Sequence, residues 1–429
     1  MNNIKEKKIC KIIFLFILYY FFVLSFFINQ LFPHRFNSVI FLLLIPLVFK
    51  ENIINLNRYF ALTSYFLINV IVLVCYIFEL STVINLLQVL VATFFFACLA
   101  YTISINFSID EFIKILTKNF TIILFTTIIL TTFLTFVQNP LIINYFFWET
   151  LSSSTDAKVF KLLSGGGTGH SSANIILPIL FSLMQYNFFK KNKDERLLSF
   201  FLMILFAFFA YLTKSRTTYF LIILLSLSSF TYLNFFWFKK YFKIFIIITA
   251  FLFLSMSSKP TYSYLAYEVK ILNFILSLDA FTTVESKIVT PERFFASRDF
   301  LNQRLLNEIS KNPFIGIGHT DDLFTYGVSS DLSTAYNLKR SAGSESILII
   351  PAKYGLPYFF FLMFFIVSIP FSFHNLKKNE LALFQNFWTI IFITVMSSGG
   401  LLSMYGTSGF LFLLLSLLYF FSKSKKIYS

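Results

Sequence analysis

The chain has 429 residues, of which 57% are hydrophobic, 21% aromatic and only 13% charged, with a mean hydropathy of +0.76. Soluble domains average about 25% charged residues, so this chain cannot clothe its surface in water. Its net charge of +15 does not point to nucleic acid, because the lysines stand in short clusters between apolar stretches and not on one face of a polar module.

The first predicted element is the apolar run Lys11 to Asn29, preceded by Lys5, Lys7 and Lys8. It is too long for the apolar core of a secretory signal and lacks a small-residue cleavage site, so it is expected to stay as a membrane anchor. Further apolar segments follow at Ser38 to Phe49, Tyr59 to Leu80, Val83 to Ile105, Asn119 to Gln138, Ser172 to Phe189, Leu197 to Thr213, Thr217 to Phe236, Tyr241 to Ser257, Tyr354 to Phe373, Leu381 to Met396 and Gly406 to Phe421. Most have the length and chemistry to cross roughly 30 Å of hydrocarbon. The expected fold is all-α: a polytopic transmembrane bundle of about 12 helices with one large periplasmic loop containing short amphipathic helices. Cys10, Cys75 and Cys98 lie in or beside apolar segments at no metal-ligand spacing, so neither a disulfide framework nor a metal site is encoded.

Positive charge orients such a bundle, because Lys and Arg in short loops favour the cytoplasmic side. Lys50 and Arg58, Lys114 and Lys118, Lys190 to Arg196, Lys239 to Lys243, Lys377 and Lys378, and the tail lysines Lys423, Lys425 and Lys426 all fall on the side of the basic N-terminus. Both termini are therefore expected on the cytoplasmic side of the membrane. The alternating connections, Gln30 to Asn37, Asn139 to Ser171, Lys214 to Arg216 and Ser397 to Tyr405, carry fewer cations: Arg35, Lys158 and Lys161 besides the pair at Lys214 and Arg216.

One connection differs in kind. Ser258 to Gly343 is about 85 residues long, far beyond ordinary interhelical loops, and such loops are usually functional. From Pro291 to Ser310 a helical period places Phe294, Leu301, Leu305 and Ile309 near one face. The pattern fits either a helix lying on the membrane surface or part of a folded lid over an outward-facing site. The chain thus divides into helices at 1–257, the large loop at 258–343, and a re-entrant or interfacial segment with the remaining helices at 344–429.

Two features oppose the simple bundle. Lys214 and Arg216 sit on the external side in a very short turn, where cations are unexpected and costly near hydrocarbon unless an anion offsets them. They either snorkel to headgroups or hold a lipid pyrophosphate, which an arginine fork matches. The segment Ser164 to Asn174, with Gly165, Gly166, Gly167 and Gly169 before His170, leads into the sixth helix. Its glycines and helix amides suit an anion, although a hinge with a solvated His170 is the plain alternative. No Gly-Lys-Ser/Thr follows, so it is not a nucleotide-binding P-loop.

The end of the large loop carries Asn312-Pro313-Phe314-Ile315-Gly316-Ile317-Gly318-His319, then Lys339-Arg340, Ser344-Glu345 and Lys353-Tyr354-Gly355-Leu356-Pro357. At these residues the chain resembles the O-antigen polymerase and ligase superfamily, whose members carry an NPxxGxG turn near the end of a large periplasmic loop and an aromatic-Gly leading into the next span. With Gly355 aligned to the family's glycine, Ser344 stands where the ligases carry a histidine and Glu345 lies next to it, which favours the polymerases.

The resemblance implies oligosaccharides on polyprenyl pyrophosphate as substrates, and displacement at an anomeric carbon by a sugar hydroxyl with no cofactor or metal. On this reading Arg216, helped by Lys214 and by Arg293 or Arg298, balances the charge of the leaving pyrophosphate. Glu345 or His319 accepts the proton of the acceptor hydroxyl. Gly316, Gly318, Arg340 and His170 count with the substrate-binding residues, although Glu345 could equally be an ion-pair partner of Arg340 or Lys353. Membrane lipids, a chain-length regulator and a flippase of the same pathway are the implied partners. A ligase is the enzymatic alternative, and a flippase for the same lipid-linked unit the non-enzymatic one. Flippases should have short loops on both faces and charges within several spans, whereas mid-span charges are nearly absent here.

Overall fold

The computed structural model describes residues 2–24, 36–48, 59–138, 148–151, 158–161, 169–190, 193–212, 216–232, 305–318, 347–398 and 407–424. Within these the chain is helical apart from one short ribbon. In order, the helices are α1 (Asn2–Tyr19), α2 (Phe36–Val48), α3 (Phe60–Cys75), α4 (Leu80–Asn106), α5 (Ile109–Gln138), α6 (Gly169–Lys190), α7 (Lys193–Leu212), α8 (Arg216–Leu227), α9 (Ile349–Ser368), α10 (Lys378–Ser398) and α11 (Thr407–Ser424). A π turn, Tyr20–Leu24, extends α1, the turn Ser229–Tyr232 follows α8, and a 3-10 segment, Ile369–Asn375, follows α9. Every expected apolar segment coincides with one of these helices except Tyr241 to Ser257, which lies outside the described residues.

Two departures have local causes. Helix α5 starts ten residues before its apolar run because Ser108-Ile109-Asp110-Glu111 forms a capping box. Glu111 N donates to Ser108 Oγ at 3.3 Å and Ser108 N donates to Glu111 Oε2 at 3.1 Å, which satisfies two orphan amides at once. The connection expected over Asn139 to Ser171 contains an antiparallel ribbon, β1 (Trp148–Leu151) with β2 (Lys158–Lys161), in which Glu149 faces Phe160 and Thr150 faces Val159. Aromatic and β-branched residues favour that extended pairing, but the run is too short to read as a strand from sequence.

Helix α11 is buried along residues 409–422 and α10 along 382–396, so both occupy the centre. Their apolar side chains pack inwards together with a few buried polar ones, such as Asn386, whose Nδ2 donates to Gln185 Oε1 at 2.7 Å. Around them α4 packs on α11, α3 on α9, and α6 on α7 and α10. The outer helices turn large apolar side chains outwards: Leu67, Ile71 and Val74 on α3, and Leu197, Phe201, Ile204 and Phe208 on α7. Among the described residues two helical stretches, Thr82–Asn106 and Ile349–His374, are long and apolar enough to cross a membrane, and four shorter apolar helices accompany them.

Charges gather at one end of the bundle. Lys7 Nζ meets Glu111 Oε1 at 2.8 Å, joining α1 to α5. Lys190 at the end of α6 donates to Asp110, which also accepts from Tyr186 Oη at 2.9 Å. The hydrogen bond from Lys190 is the main reason the Asp110 carboxyl lies below the ordinary carboxylate range, and Lys377 adds to the effect through space. Glu111 is lowered chiefly by Lys7 and then by the Ser108 amide. Charge alternation puts the N-terminal lysines, Lys114 with Lys118, Lys190 and Lys377 on one side, and the fold brings Lys7, the start of α5, Lys190 and Lys377 to one end.

Both pairs are about half exposed, so each contributes little and salt screens it. Because the folded carboxyls are lowered, their stabilisation is complete above the unfolded value, about 4, and fades as pH falls through the folded value. The thermal midpoint of the detergent-solubilised protein at low salt should hold steady from neutral pH to about 5 and fall below that. The Asp110→Asn/Glu111→Gln double variant should show a shallower fall, and molar salt should narrow the difference. Identical acid profiles for parent and variant would remove these pairs from the account.

Candidate functional site

At the opposite end, the backbone of α9 is broken by its own sequence. Pro357 has no amide hydrogen, so the carbonyl of Lys353 loses its helical partner. Gly355 adopts φ 84° and ψ 164°, a conformation essentially confined to glycine, which turns the Leu356 amide away from the helix. The missing partners come from the Asn312–Gly318 turn. Leu356 N donates to Pro313 O at 2.7 Å, Ile317 N to Ala352 O at 3.0 Å and Gly318 N to Lys353 O at 2.9 Å.

This exchange demands close backbone approach from both sides. A Cβ on Gly355 would lie 2.1 Å from the Phe314 carbonyl oxygen, and one on Gly316 would lie 2.5 Å from the Lys353 carbonyl carbon. Gly316 and Gly318 take φ of 80° and 74°, which lets the turn reverse and return along α9. The turn is led in by a helical stretch at residues 305–311, with Leu305 and Ile309 buried and Leu306 and Ser310 exposed, as the amphipathic period predicted for its end.

The loop between α3 and α4 clasps the same turn. Tyr76 Oη donates to Ile315 O at 2.9 Å and approaches Lys353 O at 3.4 Å. A Cβ on Gly318 would lie 2.6 Å from Glu79 Oε2 and 2.8 Å from Thr82 Oγ1, so a carboxylate and a hydroxyl rest directly on this glycine. Below the clasp, Tyr65 Oη and Tyr358 Oη are 3.1 Å apart, Tyr358 Oη donates to Asn69 Oδ1 at 3.0 Å, and Asn69 Nδ2 donates to Tyr65 O at 2.7 Å. These buried polar groups satisfy one another and join α3 to α9.

Of the residues singled out from sequence, Gly316 and Gly318 lie in this interlock. Arg216 opens α8 and His170 stands in the first turn of α6. Gln185, near the end of α6, donates to Leu225 O at 2.9 Å and Ser229 Oγ at 2.6 Å near the end of α8. Both helices therefore run parallel away from the interlock end, placing the backbones of Arg216 and His170 towards it. Glu345, His319, Lys214, Arg293, Arg298 and Arg340 lie outside the described residues. Gly355 and Pro357, part of the motif read from sequence, lie in the interlock too, whereas Tyr76 and Glu79 were missed. Pro357 was readable as a carbonyl left open four residues earlier, whereas Tyr76 and Glu79 carry no pattern of their own.

If this backbone exchange holds the loop end, Gly355→Ala should destabilise the protein by at least about 1–3 kcal/mol, the cost of a non-glycine residue in such a conformation before any clash is added. Gly316→Ala should be similarly harmful, because its neighbour is rigid backbone. Thermal unfolding in detergent reads both. An unchanged midpoint for Gly355→Ala would mean that the turn and α9 are not joined in this way.

No protein-family model matches this chain, and no curated protein matches it at significance.

Proposed function

We propose that this chain is a polytopic protein of the bacterial inner membrane that polymerises lipid-linked repeat units of a surface glycan on the periplasmic side. The observation that carries the reading is the interlock of the NPFIGIG turn with Lys353–Gly355. The two motifs on which the family resemblance rests are far apart in sequence, yet each supplies the hydrogen-bond partners the other lacks. They do so at the end of the bundle away from the Lys7–Glu111 and Lys190–Asp110 pairs, the end expected to face outwards.

The proposed reaction needs no cofactor. A hydroxyl oxygen of the acceptor glycan attacks the anomeric carbon of the donor, the bond from that carbon to the pyrophosphate oxygen breaks, and polyprenyl pyrophosphate leaves with the electron pair. Arg216 balances the charge that develops on the leaving group. Its position at the start of α8 adds the favourable end of a helix dipole. Lys214, Arg293 and Arg298 are the further cations assigned to this role. The proton of the attacking hydroxyl passes to Glu345, with His319 the other candidate base. Retention of a glycan on its carrier until a second carrier-linked unit arrives fits an outward-facing site held at the membrane surface.

The test is the glycan phenotype. Loss of the protein should leave core lipid carrying a single repeat, because a separate ligase still transfers what the flippase delivers. Arg216→Ala should reproduce that phenotype at a normal protein level, and Arg216→Lys should restore long chains only weakly, since a point charge cannot replace a bidentate fork. Bare core with long polymer held on polyprenyl pyrophosphate would identify a ligase instead, and absence of exported glycan a flippase.

A further inference from the structure

The loop between α3 and α4 presents a set of groups that the proposed reaction has not used. Glu79 stands at the N-terminal boundary of α4 but makes no side-chain cap with it. Its carboxylate is directed over Gly318 beside Thr82 Oγ1, and the side chain is only partly buried. None of the ion pairs among the described residues engages this carboxylate. Immediately before it, Phe78 is fully exposed, and Phe314 of the interlocked turn is also exposed. The whole group is held rigidly, because Tyr76 is tied to Ile315 and Gly318 to Lys353.

We infer that the Tyr76–Thr82 loop is a glycan-binding subsite, in which Glu79 accepts hydrogen bonds from sugar hydroxyls of a lipid-linked oligosaccharide. The inference rests on the polymerase reading and specifies which part of the substrate lies here. With no cation paired to it among the described residues, this carboxylate repels pyrophosphate, so the position takes the sugar end of a substrate and the cations assigned elsewhere take its phosphates. Carboxylate oxygens accept from hydroxyl donors in short, charge-assisted bonds. The exposed ring of Phe78, next in the chain to this acceptor, offers an apolar surface to the carbon face of a pyranose, and small-ligand sites typically combine such apolar walls with a few polar anchors. Glu79 is a binding residue here and not the proton acceptor.

The probe is the lipid-linked glycan extracted from cells lacking this protein, supplied to purified full-length protein in proteoliposomes. Chain formation is measured against extract concentration for the parent, Glu79→Ala and Glu79→Gln, with thermal unfolding recorded for each. Glu79→Ala should raise KM about tenfold or more, the loss expected when hydrogen bonds to a charged group are removed, with kcat within about twofold, as for an interaction made equally in ground and transition states. Glu79→Gln is nearly isosteric, should unfold like the parent, and should raise KM by less, because its amide oxygen still accepts without charge. Phe78→Ala should raise KM as well. Unchanged KM in Glu79→Gln and Glu79→Ala, or a fall in kcat at unchanged KM, would overturn the subsite. Binding of the oligosaccharide released from the same extract is measured in parallel. If the parent forms no chains yet binds this oligosaccharide in a Glu79-dependent way, the polymerase reading fails and the subsite stands. If the parent neither forms chains nor binds it, both fail.

Discussion

The end of this fold away from the Lys7–Glu111 and Lys190–Asp110 pairs depends on an exchange of hydrogen bonds at the start of α9. A helix interrupted by Gly355 and Pro357 leaves the carbonyls of Ala352 and Lys353 and the amide of Leu356 without helical partners. In an apolar environment each unpaired group costs several kcal/mol or about that order, so they must be satisfied locally. The Asn312–Gly318 turn satisfies all three. Its own reversal needs Gly316 and Gly318 at positive φ, and the approach is so close that no side chain fits between the two segments. Each segment thus supplies hydrogen-bond partners that the other's backbone conformation leaves open, and this joins the turn to α9.

From that constraint the surroundings follow. Tyr76 reaches the Ile315 carbonyl because the end of α3 lies against the turn, and Glu79 and Thr82 rest on Gly318 because the loop into α4 begins there. The Tyr65–Asn69–Tyr358 group holds α3 to α9 deeper, about one helical turn past Gly355 on α9 and roughly two to three turns before Tyr76 on α3. At the other end, exposed ion pairs join α1, α5 and α6. One end of the bundle is thus organised by backbone exchange and the other by charge, an asymmetry that matches the alternation of Lys and Arg between apolar segments.

Much of the helical frame was legible in the sequence because apolar length is a strong signal, and the described helices coincide with the apolar segments. The capping box at Ser108 was also readable, as Ser-x-x-Glu ahead of an apolar run, and would have moved the start of α5. The two glycine motifs were visible as motifs, but their union was not, since nothing local states that one turn completes another's hydrogen bonds. Glu79 was illegible for a different reason. A single carboxylate at a helix boundary resembles any capping residue until the packing shows that it does not cap its helix but faces Gly318. The ribbon at β1 and β2 was too short for its alternation to register.

The central claim is that the interlock end faces away from the cytoplasm while the charge-paired end faces into it, because every proposed role of Arg216, Glu345 and Glu79 depends on that orientation. The most direct measurement places single cysteines towards each end, Ser310→Cys at an exposed position beside the turn and Asn192→Cys two residues after Lys190 in the sequence, in a background lacking Cys10, Cys75 and Cys98. An impermeant thiol reagent is added to intact cells whose outer membrane has been permeabilised. Labelling of the cysteine at 310 with protection of the one at 192 is the result the account predicts. Labelling of 192 with protection of 310 would contradict it.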